Sequence, residues 1–338
     1  MGSYDIGAHV GSKKKIGYGT GQAFFATDGG NVADISYFVD DRPGVQGTTL
    51  KGVPVFPVEK LLEEEKDGIF IVIYAYRAEV INLVSAKLRA MGFREGEHYA
   101  DCSFQHAAAI AQRLAKEFGA DVVLGTFDAV RDLFLSCGVP DHSYASGTWL
   151  FIELLENFSL KVKGEIAECG VYKGGNAFIT LSLAAGIDKK EYLLFDSFKG
   201  FPELSEHDPA ARGGDFVGSG SREVKELLGK FRNAAVHEGF FRDSFRHLED
   251  RNYSMVYIDC DLYVPALECG NYFYGRLNNG GVMMFHDYHI PEGADSPGTG
   301  FRGIKKAVDE FLSDKDEELI VIPETSHAFF VKGKGKRK

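Results

Sequence analysis

The chain has 338 residues, with 38 Lys and Arg against 49 Asp and Glu, a formal net charge of −11. An apolar share of 44%, with 27 Phe and 15 Tyr, excludes a disordered chain. The acidic balance argues against general nucleic-acid affinity, which rests on clustered cations against phosphates.

The first residues, Met1-Gly2-Ser3-Tyr4-Asp5, lack a basic stretch leading into an apolar core, so no secretory signal is expected. The longest apolar run, Ile69 to Tyr76, is far short of the roughly 20 residues that a bilayer-spanning helix needs. Cysteines at 102, 137, 169, 260 and 269 are odd in number and lack Cys-x-x-Cys spacing. They fit reduced thiols in a cytoplasmic protein rather than a disulfide framework or a zinc site.

In chain order, Lys15-Ile16-Gly17-Tyr18-Gly19-Thr20-Gly21 reads as a strand running into a glycine turn. A helix, the strand Ile35 to Val39 followed by Asp40-Asp41, and the strand Gly68 to Tyr74 come next. Strands alternating with helical patterns predict βαβ units and a parallel sheet. Residues 1–105 are therefore expected to form a small Rossmann-like α/β domain, too short for a complete six-stranded dinucleotide fold. Gly17, Gly19 and Gly21 are candidates for seating a phosphate, with turn geometry alone as the other explanation.

Residues 106–160 read as helical, a linker and entry to a second domain over 161–332. Its expected strands are 164–168, 191–195, 234–237, 255–258, 281–285, 318–322 and 328–331, the last two close enough to pair antiparallel. The fold class is thus α/β with a seven-stranded sheet. Glycine-rich residues 213–221 are a candidate lid. The basic tail, 333–338, is expected to be frayed and disordered.

Four polar clusters follow apolar strands in this second domain. Glu168-Cys-Gly-Val-Tyr-Lys-Gly-Gly offers an acid at a strand end, a sharp turn at Gly170, and close backbone approach at Gly174 and Gly175. The next strand ends in Asp196-Ser197, placed to hold ribose hydroxyls. Ile258-Asp259-Cys260-Asp261 and Phe285-His286-Asp287 end two further strands. If those strands are neighbours about 4.8 Å apart, Asp259 and Asp287 can face one cation. Helix capping by these acids is the competing explanation.

Together with Glu238-Gly-Phe-Phe-Arg-Asp-Ser-Phe, these motifs resemble the TylF (macrocin O-methyltransferase) family over residues 145–332. The resemblance implies a class I methyltransferase fold, S-adenosyl-L-methionine and a divalent metal, Mg²⁺ or Mn²⁺. It implies methylation of a sugar hydroxyl on a glycan, nucleotide sugar or glycosylated natural product, by a homo-oligomer without nucleic-acid partners. Carried over by position, Glu168, Gly170, Gly174, Gly175, Asp196, Ser197 and Gly239 would surround the cofactor. Asp259, His286 and Asp287 would bind metal, and Asp261 would act as general base. His286 departs from the family's usual acid, so ligation and a role behind the ligands or toward the acceptor both stay open. A non-catalytic nucleotide-binding scaffold and an NAD-dependent oxidoreductase using the first domain are the alternative functions.

Overall fold

The computed structural model describes residues 13–21, 23–25, 31–75, 77–119, 125–138, 145–202, 204–209, 211–217, 220–248, 250–289 and 302–335. The extreme N-terminus, where the absence of a secretory signal was read, lies outside them. The chain divides near residues 138–147 into two compact units. Among the described residues no helix is long and apolar enough to cross a membrane.

The first unit holds a six-stranded sheet. Its strands are β1 (Lys14–Tyr18), β2 (Ile35–Val39), β3 (Thr49–Leu50), β4 (Val53–Phe56), β5 (Ile69–Ile73) and β6 (Tyr99–Asp101), in the order β3-β4-β2-β1-β5-β6. All neighbours are parallel except the β3–β4 pair. Every residue of β5 is buried, which explains its unbroken apolar run. Six strands fit where the sequence suggested too little chain, because β3 has only two residues and β6 three. Helices α1 (Ala78–Ala90), α2 (Ser103–Phe118) and α3 (Gly125–Ser136) belong to this unit.

The second unit is entered by α4 (Ala145–Asn157). It contains β7 (Glu165–Cys169), α5 (Gly175–Leu183), β8 (Tyr192–Asp196), α6 (Ser221–Leu228), β9 (Ala234–Glu238) and α7 (Phe241–Arg246). Then follow β10 (Tyr253–Ile258), α8 (Tyr263–Tyr274), β11 (Leu277–Phe285), α9 (Arg302–Phe311), β12 (Ile320–Ile322) and β13 (His327–Val331). The sheet order is β12-β13-β11-β10-β7-β8-β9, with β13 antiparallel to both neighbours and the rest parallel. This is the expected class I methyltransferase-like arrangement of seven strands.

Its core lies on both faces of the sheet. Val256, Ile258, Met283 and Phe285 pack with Phe273, Ile304 and Phe311 from α8 and α9. On the other face, Phe151 of α4 contacts the rings of Tyr192 and Tyr257. Fully burying side chains of this size contributes about 1.5–3 kcal/mol each. The chain order reverses between β7 and β10, which makes the crevice beyond their carboxyl ends the place where such sheets bind ligands.

The tail differs from the expectation. Lys332 Nζ donates to the Tyr274 carbonyl, the Glu318 N–H donates to the Lys334 carbonyl, and Gly335 bridges to Glu317. Backbone pairing therefore holds the chain as far as Gly335, and residues 336–338 lie outside the described part.

Candidate functional site

The crevice begins at Gly170, directly after β7. Its φ of +95° is a conformation that suits glycine, and an added side-chain carbon would run into the Asp259 carbonyl oxygen. Two bonds lock the turn: Gly170 N–H donates to the Phe195 carbonyl (2.9 Å), and Asp259 N–H donates to the Cys169 carbonyl (2.8 Å). The glycine thus lets β7 and β10 stay in register up to the polar residues that end them.

Asp196 ends β8 and organises the same loop. Its Oδ2 accepts the N–H groups of Val171 (2.8 Å) and Tyr172 (2.9 Å), and its Oδ1 accepts that of Phe198 (2.7 Å). A carboxylate has about four lone-pair positions, so one acceptor direction remains. Ser197 Oγ donates to the Gly200 carbonyl and accepts the Lys199 N–H. Gly239 follows β9 and donates its N–H to the Asp196 carbonyl (2.9 Å).

These residues line a cavity of about 510 Å³, in the range that takes a cofactor-sized molecule. Gly170, Tyr172, Asp196, Ser197 and Gly239 form part of its wall, Phe201 and Phe216 lie on the loop following β8, and Asp259 and Asp261 line it too. Phe216 lies within the candidate lid, whose residues 218–219 lie outside the described part. Tyr172, Phe216 and Asp261 all hold left-handed backbone, with φ of +49°, +59° and +63°. Such conformations concentrate where a surrounding structure enforces them, and functional sites are the usual places.

Three predicted cofactor residues are not on that wall. Glu168 is only 2% exposed and accepts hydrogen bonds from Tyr192 Oη and from Asn176 Nδ2 (3.1 Å). Burial, then the charge of Glu168, drives the Tyr192 phenol far above its ordinary pKa. Gly174 and Gly175 cap and begin α5, where Gly174 (φ +82°) packs against Val224.

Asp259, Asp261, His286 and Asp287 converge, each offering a ligand atom within 4.8 Å of the others. The sheet explains the meeting: Ile258 pairs with both Cys169 and Phe285, bringing the ends of β7, β10 and β11 side by side. Adjacent residues of a strand point oppositely, yet His286 and Asp287 both reach the cluster. They do so because Asp287 leaves the strand with φ of +54°. Capping does not account for the acids, since the Tyr263 N–H at the start of α8 donates to Asp208 Oδ1 (2.9 Å).

His286 Nδ1 lies 2.8 Å from Asp259 Oδ1 and 3.7 Å from Asp287 Oδ1. Burial opposes a charge on His286, but Asp259 and Asp287 outweigh it and push its pKa up to about 10. Asp261 is raised well above the ordinary carboxylate range by burial, then by Asp287 and Asp259. Burial also raises Asp287, against the pull of His286. Burial and the crowding of like charges thus raise the proton affinity of Asp261 and Asp287. Three oxygen donors and one imidazole suit Mn²⁺ well and admit Mg²⁺, so the donor set fits a divalent ion.

Sequence reasoning missed two residues behind the cluster. Tyr257 Oη lies 3.1 Å from Asp259 Oδ2 and 3.0 Å from His327 Nε2. Tyr257 was detectable as the same-face neighbour two residues before Asp259. His327 carried no local signal, because only the pairing of β13 brings it near.

In the first unit, a side-chain carbon on Gly17 would strike the Phe38 ring, and Gly19 (φ +97°) lies against the Tyr74 carbonyl. Gly21 faces open space. Asp40, at the end of β2, is 4% exposed and accepts from Thr20 N and Oγ1 and from Arg42 N and Nε. Although burial works against its charge, Arg42 and Thr20 hold its pKa down at about 2.

Residues 154–318 match the model of the macrocin-O-methyltransferase (TylF) family. That range contains every candidate site residue from Glu168 to Asp287. The mycinamicin III 3''-O-methyltransferase of Micromonospora griseorubida is 23% identical over 145 residues, 38% of this chain and 57% of that protein. The demethyldecarbamoylnovobiocin O-methyltransferase of Streptomyces niveus is 24% identical over 179 residues, 48% of this chain and 63% of that protein. The chain thus spans less than two thirds of either relative's length. The crystal structure of the calicheamicin methyltransferase CalS11 superposes with a TM-score of 0.50 at 20% identity. That match covers 68% of this chain and 92% of the other, and it supports the fold. Over residues 154–318 the chain resembles the TylF family.

Proposed function

With the TylF resemblance over residues 154–318 as the premise, we propose an S-adenosyl-L-methionine-dependent, divalent-metal-dependent enzyme that methylates a sugar hydroxyl. The acceptor class is a glycan, nucleotide sugar or glycosylated natural product, in keeping with the names of the two curated relatives. One observation carries the reading: the four-donor cluster meets the cofactor-sized cavity at Asp259 and Asp261, which belong to both.

When bound, S-adenosyl-L-methionine supplies an electrophilic methyl group, and the divalent cation makes an acceptor hydroxyl more acidic. Gly170 and Gly239 admit the cofactor close to the backbone, and the remaining acceptor direction of Asp196 suits a ribose hydroxyl. Glu168, Gly174 and Gly175 act behind this wall by shaping the turn. Asp259, His286 and Asp287 are the residues that would hold the cation. Asp261 takes the hydroxyl proton as general base, since its side chain lines the cavity beside Asp259. With S-adenosyl-L-methionine bound, its methyl group would be the one transferred to the acceptor hydroxyl, and Asp261 would keep the proton that the hydroxyl gives up.

The first unit is proposed as an accessory domain. An oxidoreductase reading needs an acid free to hold ribose, whereas protein donors already engage Asp40. Calorimetric titration with S-adenosylhomocysteine, with and without Mn²⁺, tests the proposal. Saturable one-site binding of the nucleoside is expected in both conditions. No binding in either condition would move the reading to a non-catalytic scaffold.

A further inference from the structure

We infer that His327, acting through Tyr257, is a positioning residue that fixes the Asp259 carboxylate for the cation. The inference rests on the metal-centred reading above and adds residues to which that reading assigns no role.

The register of three strands makes the arrangement. Tyr257 of β10 pairs with Met284 of β11, and Met284 pairs with Phe329 of β13. Residues two apart along a strand share a face. Asp259, His286 and His327, each two residues from a member of that row, therefore fall on one face of the sheet with Tyr257. On this face a hydrogen-bonded file runs from His327 Nε2 to Tyr257 Oη (3.0 Å), then from Tyr257 Oη to Asp259 Oδ2 (3.1 Å). His286 Nδ1 holds the other oxygen, Asp259 Oδ1, at 2.8 Å.

Burial turns this file into a constraint. His327 is fully buried and Tyr257 is 2% exposed, so neither can exchange its partner for solvent. Gly147 of α4 packs so tightly on the imidazole that a side-chain carbon there would lie 2.9 Å from His327 Cε1. The Phe151 ring bears on Tyr257 with centroids 5.3 Å apart. An aspartate's terminal torsion is broad and roughly two-fold, so an unsupported carboxylate would sample orientations that miss the cation. Held at Oδ2 by the Tyr257 hydroxyl, Asp259 keeps one orientation. Partners behind a metal ligand that fix its orientation usually carry about 10–100-fold in metal affinity.

The test uses the full chain and Mn²⁺ alone, read as loss of the free-ion paramagnetic resonance signal. Calorimetry with S-adenosylhomocysteine in the absence of metal reports on the fold. Tyr257→Phe removes the hydroxyl at nearly constant volume and is expected to weaken Mn²⁺ binding by about 10–100-fold. His327→Leu should act in the same direction. S-adenosylhomocysteine affinity should be unchanged in Tyr257→Phe, which decides the matter if His327→Leu fails to fold. Native Mn²⁺ affinity in Tyr257→Phe would overturn the inference, as would a parallel loss of both ligands, the mark of a general structural role. Failure of the native chain to bind Mn²⁺ would instead overturn the metal-centred reading, and this inference with it.

Discussion

Asp259→Asn is expected to weaken Mn²⁺ binding by at least about 100-fold, more than the loss of a partner behind a ligand usually costs. Asp259 is the residue on which the site converges. Its N–H holds β10 to β7, its Oδ1 meets His286, its Oδ2 meets Tyr257, and its side chain reaches the cavity. An amide is nearly the same size but replaces an anionic donor with a neutral one, so packing survives while the donor set loses charge. Titration of Mn²⁺ by paramagnetic resonance checks this. The same titration should tighten from pH 6 to pH 8, because the raised groups hold protons that a cation must displace. His286, lifted to about 10, is among them, as are Asp261 and Asp287. Unchanged affinity in the variant, or weaker binding at the higher pH, would contradict the assignment.

Gly170→Ala is expected to destabilise the second unit by about 2–4 kcal/mol, combining overpacking with left-handed strain. The added carbon meets the carbonyl of Asp259, a backbone atom whose neighbouring N–H is bonded to Cys169. Relief requires β7 and β10 to part at the point where the cavity and the cluster meet. Urea denaturation should show the loss, and S-adenosylhomocysteine affinity should fall with it. Gly275→Ala is the matched control, since Gly275 has φ of −66° and open space around it. Equal stability of the two variants would mean that Gly170 does not hold this junction.

The sequence and the structure agree most closely where the physics is local. Buried parallel strands read as apolar runs ending in polar residues, which is why β7, β8, β10 and β11 and the acids after them were legible. The meeting of Asp259 with Asp287 followed once their strands were taken as neighbours. What was not legible depends on register or backbone conformation. Glu168 looked like a ligand-facing acid, but the pairing of β7 with β8 sets Tyr192 near it, and that phenol engages it inside the protein. Convergence of both His286 and Asp287 required the left-handed turn at Asp287. The tail looked frayed because alternating glycine and lysine carry no strand signal, yet Gly335 bridges to Glu317. His327 lies 41 residues after His286, and only the antiparallel return of β13 brings their ring centroids to 4.6 Å.

Anomalous diffraction from crystals grown with Mn²⁺ and S-adenosylhomocysteine tests the central claim most directly. The account predicts one strong anomalous peak coordinated by side chains of Asp259, His286 and Asp287, with the nucleoside's sulfur facing it across the cavity. A metal peak elsewhere, or nucleoside density outside the cavity bounded by Gly170, Asp196 and Gly239, would contradict it.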